Sequence, residues 1–244
     1  MEATNPYEQP KLVDEYLLFH YGEPQLVLPH ESGPHDALNF AVRTVTETID
    51  TGIPRERALD IGCSVGRSSL ELSRFCHEVV GIDFSSAFID AANGLRAEGK
   101  MDYEVLIEGH ATTPATAVVP SGTQPEHVRF ETGDAMNLRD ELGLFELVHA
   151  ANLVCRLPEP MKFLDRLPSL VSPGGQLVLT TPCTWLGEFT PPENWPDKPT
   201  IDWLQEALGD AFKLERTLDL PFLIRETARK FQWSVAQGSV WTRE

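Results

Sequence analysis

The feature that most constrains the fold is a glycine-bearing turn between a short strand and a helix. Ala58–Ile61 is apolar apart from Asp60 and leads into Gly62-Cys63-Ser64-Val65-Gly66, after which Ser68–Phe75 has helical spacing. Glycine lets a backbone turn sharply and approach a ligand, and the start of a helix offers free N–H groups. The segment therefore predicts a strand–turn–helix unit of an α/β sheet, with a ligand site at the turn.

The rest of the chain repeats this alternation of strands and helices. Strand–helix repetition with right-handed crossovers predicts a Rossmann-like α/β fold, with a mostly parallel seven-stranded sheet and helices on both faces. Further strands are predicted at Val79–Asp83, Val128–Glu131, Phe145–Ala150, Gly175–Thr181, Phe212–Leu218 and Phe231–Trp241, and further helices at Ser85–Arg96, Met161–Leu170 and Thr200–Leu208.

Two helices are predicted ahead of the glycine turn. Tyr7–His20 and Asp36–Ile49 have apolar residues at helical spacing, and glycine and proline follow each of them. We therefore divide the chain into an N-terminal helical lid, residues 1–52, and a ligand-binding core, residues 53–244. Within the core, Thr112–Gln124 is rich in Thr, Ala, Pro and Ser and predicts a surface insertion near residues 109–125.

Charge and composition exclude several classes of protein. The formal net charge is −17, which excludes a nucleic-acid-coating protein and disfavours binding to an anionic membrane. There is no run of roughly 18 apolar residues and no basic, apolar leader at Met1, so we expect a soluble cytoplasmic protein. The four cysteines are far apart, which predicts reduced thiols and no metal site.

Acidic residues follow the next two predicted strands. Asp83 ends the second strand, 17 residues after Gly66, where a carboxylate can accept the hydroxyl protons of a ribose. Gly133-Asp134-Ala135 follows the third strand, although Asp134 could instead cap the turn after it. A glycine turn followed by one acid is also found in dinucleotide-binding folds, so the third feature is needed to distinguish the families.

This combination resembles the class I S-adenosylmethionine-dependent methyltransferases. The resemblance implies S-adenosylmethionine as the cofactor. In the family the glycine turn holds the methionine portion, the acid after the second strand holds the ribose, and the acid after the third strand faces the adenine. Ser64 stands where the family often has glycine. The implied cofactor-binding residues are Asp60, Gly62, Ser64, Gly66, Asp83, Phe84, Asp134, Ala135 and Ala151.

Several segments resemble a narrower group, the methyltransferases of ovothiol biosynthesis. That resemblance implies N-methylation of the imidazole ring of 5-thiohistidine to form ovothiol A. In many members the unit follows an iron-dependent sulfoxide synthase, so we expect a functional link to a separate enzyme of that kind. The matching segments are Tyr16–Gly22, Asp60–Ser69, Val80–Phe84, Ala150–Pro158, Thr184-Trp185, Glu188–Pro191 and Pro221–Trp233.

The acceptor is expected to meet polar and aromatic side chains of the lid and the strand ends. An Asn amide can hydrogen-bond an imidazole, and an Arg guanidinium suits a carboxylate. Each has an alternative: Asn152 could cap the following turn, Arg225 and Lys230 could be a solvated cluster, and Tyr16 could be core. Catalytic candidates are Asn152, Tyr21 and His20, and substrate-binding candidates are Tyr16, Asn39, Arg43, Asn152, Arg156, Trp185, Arg225 and Lys230.

Three other functions stay open at this point. The chain could methylate another small amino acid or imidazole, or it could be a catalytically silent cofactor-binding partner of the sulfoxide synthase. A dehydrogenase is the third alternative, because the glycine turn and Asp83 also suit a dinucleotide.

Overall fold

The computed structural model describes residues 6–53 and 55–244 of the chain. Seven strands form one sheet in the spatial order β5-β2-β1-β6-β7-β9-β8, and two more form a separate hairpin, β3-β4. The strands are β1 Arg55–Ile61, β2 Cys76–Asp83, β3 Lys100–Glu108, β4 Ala111–Val118, β5 Val128–Thr132, β6 Phe145–Ala151, β7 Val171–Thr181, β8 Phe212–Arg225 and β9 Phe231–Arg243.

Seven α-helices lie between or ahead of these strands. The longest, Ser86–Glu98, begins at Ser85, whose hydroxyl accepts a hydrogen bond from Phe88 N, and ends at Gly99 with φ 73°. Both are standard helix-capping devices. The helices are α1 Pro10–Tyr21, α2 Pro24–Val27, α3 Phe40–Thr46, α4 Arg67–Leu72, α5 Ser86–Glu98, α6 Pro160–Arg166 and α7 Thr200–Leu208.

The sheet is mostly parallel, as the sequence predicts. Strands β1, β2, β5, β6 and β7 pair in parallel, whereas β9 pairs antiparallel with both β7 and β8. Separate apolar clusters cover the two faces, one containing Phe163 and Trp241 and the other Leu70 and Leu147. Strand order reverses between β1 and β6, so a ligand is expected beyond their carboxyl ends.

Several predicted elements differ in detail. The second lid helix is only Phe40–Thr46, because Asn39 ahead of it has φ 57° and breaks the helical path from the short 3-10 turn at His35–Ala37. The Thr- and Pro-rich segment contains β4 rather than only an irregular insertion. Strand β8 continues through Pro221 to Arg225, which is tolerated because β8 lies at the edge of the sheet.

The lid packs over the glycine turn. Leu17 and Leu18 of α1 are buried in one cluster with Val65 of the turn, Phe88 of α5 and Tyr103 of β3. The tip of the β8-β9 hairpin also reaches this region, since Ala228 N donates to Ile107 O of β3 at 3.0 Å. Within the described residues, no helix is both long and apolar enough to span a bilayer.

Candidate active site

The glycine turn has three residues in the left-handed region. Gly62, Ser64 and Gly66 have φ of 75°, 52° and 84°. A Cβ added to Gly66 would lie 2.5 Å from Phe130 Cζ, so only glycine fits there. Ser64 adopts its φ despite carrying a side chain, and its backbone N–H donates to Asp83 Oδ2 at 2.8 Å. The ends of β1 and β2 are therefore tied together at the turn.

Asp60 lies buried beneath this turn and is hydrogen-bonded to three side chains. Its Oδ2 accepts hydrogen bonds from Ser68 Oγ at 2.8 Å and Ser69 Oγ at 2.6 Å, both in the first turn of α4. Its Oδ1 lies 2.8 Å from His149 Nδ1 on β6. His149 and Ser69 hold the pKa of Asp60 below its ordinary value despite burial. His149 was not predicted as a site residue, because a single His within an apolar strand gives no signal in sequence.

Asp83 is placed to meet a ligand beyond β2. Its carboxylate accepts from the backbone N–H groups of Ser64 and Ser85, which leaves further lone pairs for hydroxyl donors. Burial raises the pKa of Asp83 to about 6, and the two backbone hydrogen bonds oppose this only in part. The next residue, Phe84, has a side chain that is 64% exposed, so an aromatic face is open beside the carboxylate.

The acid after the third strand acts as a turn cap in this structure. Asp134 Oδ1 accepts a hydrogen bond from Met136 N at 2.8 Å, which is the alternative considered for it from the sequence. Ala135 is buried in the cluster that covers one sheet face. Asp134 still lies after β5, beside β2, so its assignment to the adenine site stays a prediction.

Asn152 follows β6 in a strained conformation. Its φ is 53°, and its N–H donates to Thr180 O of β7 at 2.8 Å. Thr180 Oγ1 donates to Asn152 Oδ1 at 3.1 Å, which fixes the amide so that its NH2 group makes no hydrogen bond within the described residues. Ala151 just before it pairs with Thr180. Strain of this kind is concentrated at functional sites, and Cys183 after β7 shows it too, with φ 54°.

Three candidate side chains of α1 lie near the glycine turn or near the start of α5. Tyr21 Oη donates to Val65 O at 3.0 Å, and burial raises the pKa of its phenol. Burial and the nearby Arg67 lower the pKa of His20 to about 3, so its ring is neutral. Burial also raises the pKa of the Tyr16 phenol, and its ring packs 4.8 Å from that of Phe88.

A stack of three side chains joins the lid to the loops after β6 and β7. Arg156 lies 5.0 Å from the ring centroid of Phe189, and the ring of Phe189 stacks 6.2 Å from that of Tyr7. Arg156 Nη1 donates to Cys155 O and Thr184 O, whereas Nε and Nη2 donate no hydrogen bond within the described residues. Tyr7 and Phe189 were not predicted as site residues, although Phe189 lies in a segment that resembles the narrower group.

Other predicted substrate-binding residues are engaged elsewhere in the fold. Arg43 contacts Glu47, Asp36 O and Pro221 O, and so ties α3 to β8. Arg225 is buried and donates to the carbonyls of Leu26 and Thr227. Exposed Lys230 pairs with Glu226 at 2.5 Å, and Asn39 is exposed at the start of α3. Trp185 donates to Thr200 Oγ1 and packs edge-on against Trp203.

Comparison with known proteins identifies the family of the chain. A family model described as "Methyltransferase domain" matches residues 35–221. The chain belongs to this family. S-adenosylmethionine is the methyl donor of the family, which confirms the predicted enzyme class and cofactor at the level of the family. None of the matched proteins points to the ovothiol group in particular.

Curated methyltransferases are similar to part of the chain. The chloroplastic tocopherol O-methyltransferase of Arabidopsis thaliana is 26% identical over 129 residues, which is 52% of this chain and 30% of that protein. The ubiquinone biosynthesis O-methyltransferase of Psychrobacter cryohalolentis is 26% identical over 135 residues, 55% of this chain and 44% of that protein. The chain thus spans less than half the length of these two relatives.

Solved structures share the fold of this methyltransferase over most of its length. The N-methyltransferase NodS of Bradyrhizobium japonicum, in complex with S-adenosylhomocysteine, has a TM-score of 0.53 and 13% identity and covers 95% of this chain and 98% of its own. Magnesium protoporphyrin IX methyltransferase of Synechocystis, also solved with S-adenosylhomocysteine, has a TM-score of 0.50 and 21% identity. The match covers 78% of this chain and 75% of that chain. These likenesses confirm the predicted Rossmann-like architecture.

Proposed function

We propose that this methyltransferase transfers the methyl group of S-adenosylmethionine to a ring nitrogen of 5-thiohistidine, forming ovothiol A. The observation that carries the transfer is the glycine turn with Asp60 beneath it and Asp83 bonded to its backbone. The choice of acceptor is supported by the resemblance of seven segments to the ovothiol group and by Arg156, which stacks on Phe189 and keeps two guanidinium nitrogens without a partner in the described residues.

The cofactor side has groups that suit each part of S-adenosylmethionine. Gly62 and Gly66 leave the backbone of the turn open to the methionine portion, and buried Ser64 Oγ has no hydrogen-bond partner within the described residues. The remaining lone pairs of Asp83 suit ribose hydroxyls, and exposed Phe84 offers a face to the adenine ring. The donor set therefore fits the cofactor.

The acceptor side suits a small, flat amino acid. Arg156 keeps Nε and Nη2 free of protein partners in the described residues, so it can bind a carboxylate with two parallel hydrogen bonds. The NH2 group of Asn152 can donate to the carboxylate or the sulfur of the acceptor, which leaves the lone pair of the ring nitrogen free for the methyl group. The ring of Phe189 lies against Arg156, and the rings of Tyr7 and Tyr16 continue this aromatic surface.

The reaction requires alignment more than acid–base catalysis. S-adenosylmethionine held by the glycine turn and Asp83 would supply an activated methyl group, which would pass from its sulfur to the ring nitrogen in a single displacement. A neutral imidazole already has a lone pair, so Asn152 and Arg156 need only orient it and keep the acceptor's own sulfur away. The low pKa of His20 makes it a weak base, which favours a hydrogen-bonding role for it and release of the ring proton to solvent.

A second acceptor class comes from the curated relatives, which are named for O-methylation in tocopherol and ubiquinone biosynthesis. Phenolic acceptors of that kind carry no carboxylate for Arg156. A phenolic acceptor is therefore the alternative that the experiment below includes. If 5-thiohistidine is the acceptor, an enzyme that forms a carbon–sulfur bond on histidine must supply it, which supports the expected link to a sulfoxide synthase.

Mass spectrometry of the protein with S-adenosylmethionine tests the proposal directly. Separate reactions contain 5-thiohistidine, histidine, a catechol or no acceptor, and Asp83→Ala is the inactive control. We expect a product one methyl heavier only with 5-thiohistidine, with fragments that locate the methyl on the ring. Methylation of histidine or the catechol instead would reassign the acceptor, and cofactor binding without any product would favour the silent-partner alternative.

A further inference from the structure

We propose that the 3-10 turn Pro6–Glu8 is a strap over the active site, which Glu8 latches and the ring of Tyr7 closes. The strap must move aside whenever cofactor, acceptor or product is exchanged. This inference rests on the proposed function for the identity of the ligands. It adds Glu8 as a positioning residue and Tyr7 as the residue through which Glu8 acts.

The carboxylate of Glu8 fastens the strap to the start of α5. Glu8 Oε1 accepts a hydrogen bond from Ser86 N at 2.9 Å, and Oε2 accepts from Ser86 Oγ at 2.9 Å and from Ala87 N at 3.3 Å. The free N–H groups and the positive dipole end of this 13-residue helix favour an anion there. Because Glu8 is exposed, water can replace these bonds, and the latch can open without unfolding of the core.

The ring of Tyr7 is held by aromatic side chains from three other parts of the chain. Its centroid lies 6.1 Å from that of Tyr16 in α1, 5.7 Å from that of Phe88 in α5 and 6.2 Å from that of Phe189. Burial raises the pKa of the Tyr7 phenol, and Arg156 and a hydrogen bond to Tyr16 offset this only in part. The strap therefore joins the start of α5 to the loop after β7.

These two anchoring points lie on opposite sides of the glycine turn. Ser86 follows β2 and Phe189 follows β7, whereas β1 and β6 lie between these strands in the sheet. The four strands are parallel, so their carboxyl ends share one edge. The strap therefore crosses the ends of β1 and β6, where the glycine turn and Asn152 lie. A cover in this position keeps water from the reacting groups and retards release of the ligands.

Ser85 connects the strap to the proposed ribose site. Its N–H donates to Asp83 Oδ1 at 2.9 Å, and its Oγ donates to the carbonyl oxygen of Tyr7, also at 2.9 Å. A ribose bound to Asp83 and a closed strap thus depend on the same turn. Loss of the latch should therefore speed release of the cofactor product even when no acceptor is present.

The rate at which radiolabelled S-adenosylhomocysteine leaves the protein, in the presence of excess unlabelled ligand and no acceptor, tests the strap. Glu8→Ala removes the latch, Tyr7→Ala removes the ring, and Tyr7→Phe keeps the ring without its hydroxyl. Glu206→Ala is the control, because it removes an exposed carboxylate of α7 that pairs with Lys198 at 2.5 Å. Urea denaturation of each variant separates a change in release from a change in stability. Steady-state kinetics give the KM for 5-thiohistidine.

We expect release from Glu8→Ala to be about threefold faster than from the wild type, as loss of an anion at a helix N-terminus implies. Release from Tyr7→Ala should be about tenfold faster, because three aromatic contacts are lost. Tyr7→Phe should restore most of the slow release, and Glu206→Ala should match the wild type. The KM for 5-thiohistidine should rise in the same order as the release rate.

A wild-type release rate in either Glu8→Ala or Tyr7→Ala would overturn the strap, as would a Glu206→Ala variant that matches Glu8→Ala. If Tyr7→Ala does not fold, the comparison of Glu8→Ala with Glu206→Ala decides the question. A wild-type protein that binds S-adenosylhomocysteine but does not methylate 5-thiohistidine would refute only the proposed acceptor, because the release rates do not depend on it. Failure to bind S-adenosylhomocysteine at all would refute both proposals.

Discussion

Tyr21 at the end of α1 donates a hydrogen bond to the carbonyl oxygen of Val65 at 3.0 Å, and so the lid is joined to the glycine turn through a buried phenol. The two residues are 44 positions apart in the sequence. This contact explains how a lid residue can influence the cofactor site without touching the acceptor.

Tyr21→Phe should reduce turnover far more than it reduces stability. Loss of one buried hydrogen bond costs about 1 kcal/mol of unfolding free energy, whereas the turn loses the contact that holds Val65 against the lid. Urea denaturation and steady-state kinetics measure the two effects. Tyr103→Phe removes another buried phenol, on β3, and should leave turnover unchanged. Wild-type kinetics for Tyr21→Phe would exclude Tyr21 from the site.

Cofactor affinity should fall on acidification through pH 6. The pKa of Asp83 is raised to about 6 from an ordinary value of 3.8, so the carboxylate that we propose to bind the ribose is ionised above that pH and neutral below it. The stability of the fold changes in the opposite direction. Because the pKa of Asp83 is higher in the folded than in the unfolded protein, its contribution lowers the free energy of unfolding as pH rises from about 4 to about 6. Isothermal titration calorimetry with S-adenosylmethionine at several pH values from about 5 to about 8 measures this affinity.

Asp83→Asn is the control for that pH dependence. It should bind S-adenosylmethionine weakly at every pH, and its affinity should lose the change near pH 6. Wild-type affinity in Asp83→Ala would show that the carboxylate does not hold the ribose. An unchanged pH profile in Asp83→Asn would assign the titration to another group.

Gly66→Ala should destabilise the protein by more than backbone strain alone. Its Cβ would lie 2.5 Å from Phe130 Cζ and 3.0 Å from Ala92 Cβ, and φ is 84°. Gly99 has φ 73° with no atom within 4 Å of an added Cβ, so Gly99→Ala isolates the cost of φ, about 1 kcal/mol. Chemical denaturation of both variants measures the difference. Equal losses would mean that Phe130 moves aside without cost.

Arg156→Lys should raise KM for the acceptor and leave KM for S-adenosylmethionine unchanged. Lysine keeps the charge but cannot form the two parallel hydrogen bonds of a guanidinium with a carboxylate. Arg225→Lys is the matched comparison, because Arg225 donates to the carbonyls of Leu26 and Thr227 and should affect stability instead. Initial-rate kinetics with each substrate varied in turn separate the two parameters. An unchanged acceptor KM would remove Arg156 from the acceptor site.

The local units of the fold could be predicted from the sequence. Alternation of apolar strands and amphipathic helices indicated the α/β class, because this pattern depends on neighbours within a few residues. The glycine turn with Asp83 predicted a cofactor site, and the structure brings these residues together at the ends of β1 and β2. The exact ends of α3 and β8 could not be predicted, since they depend on the strained Asn39 and on the edge position of Pro221.

By itself, then, the sequence determined the order of the elements and the chemistry available at the strand ends. Tertiary structure alone decided which distant groups meet. Asp60 meets His149 across 89 residues, and Arg225 meets the carbonyl of Leu26 across 199. Both polar groups are buried, and a buried polar group needs a hydrogen-bond partner wherever the fold supplies one. Spacing along the chain does not encode such pairings, because they arise only when the sheet and lid have packed.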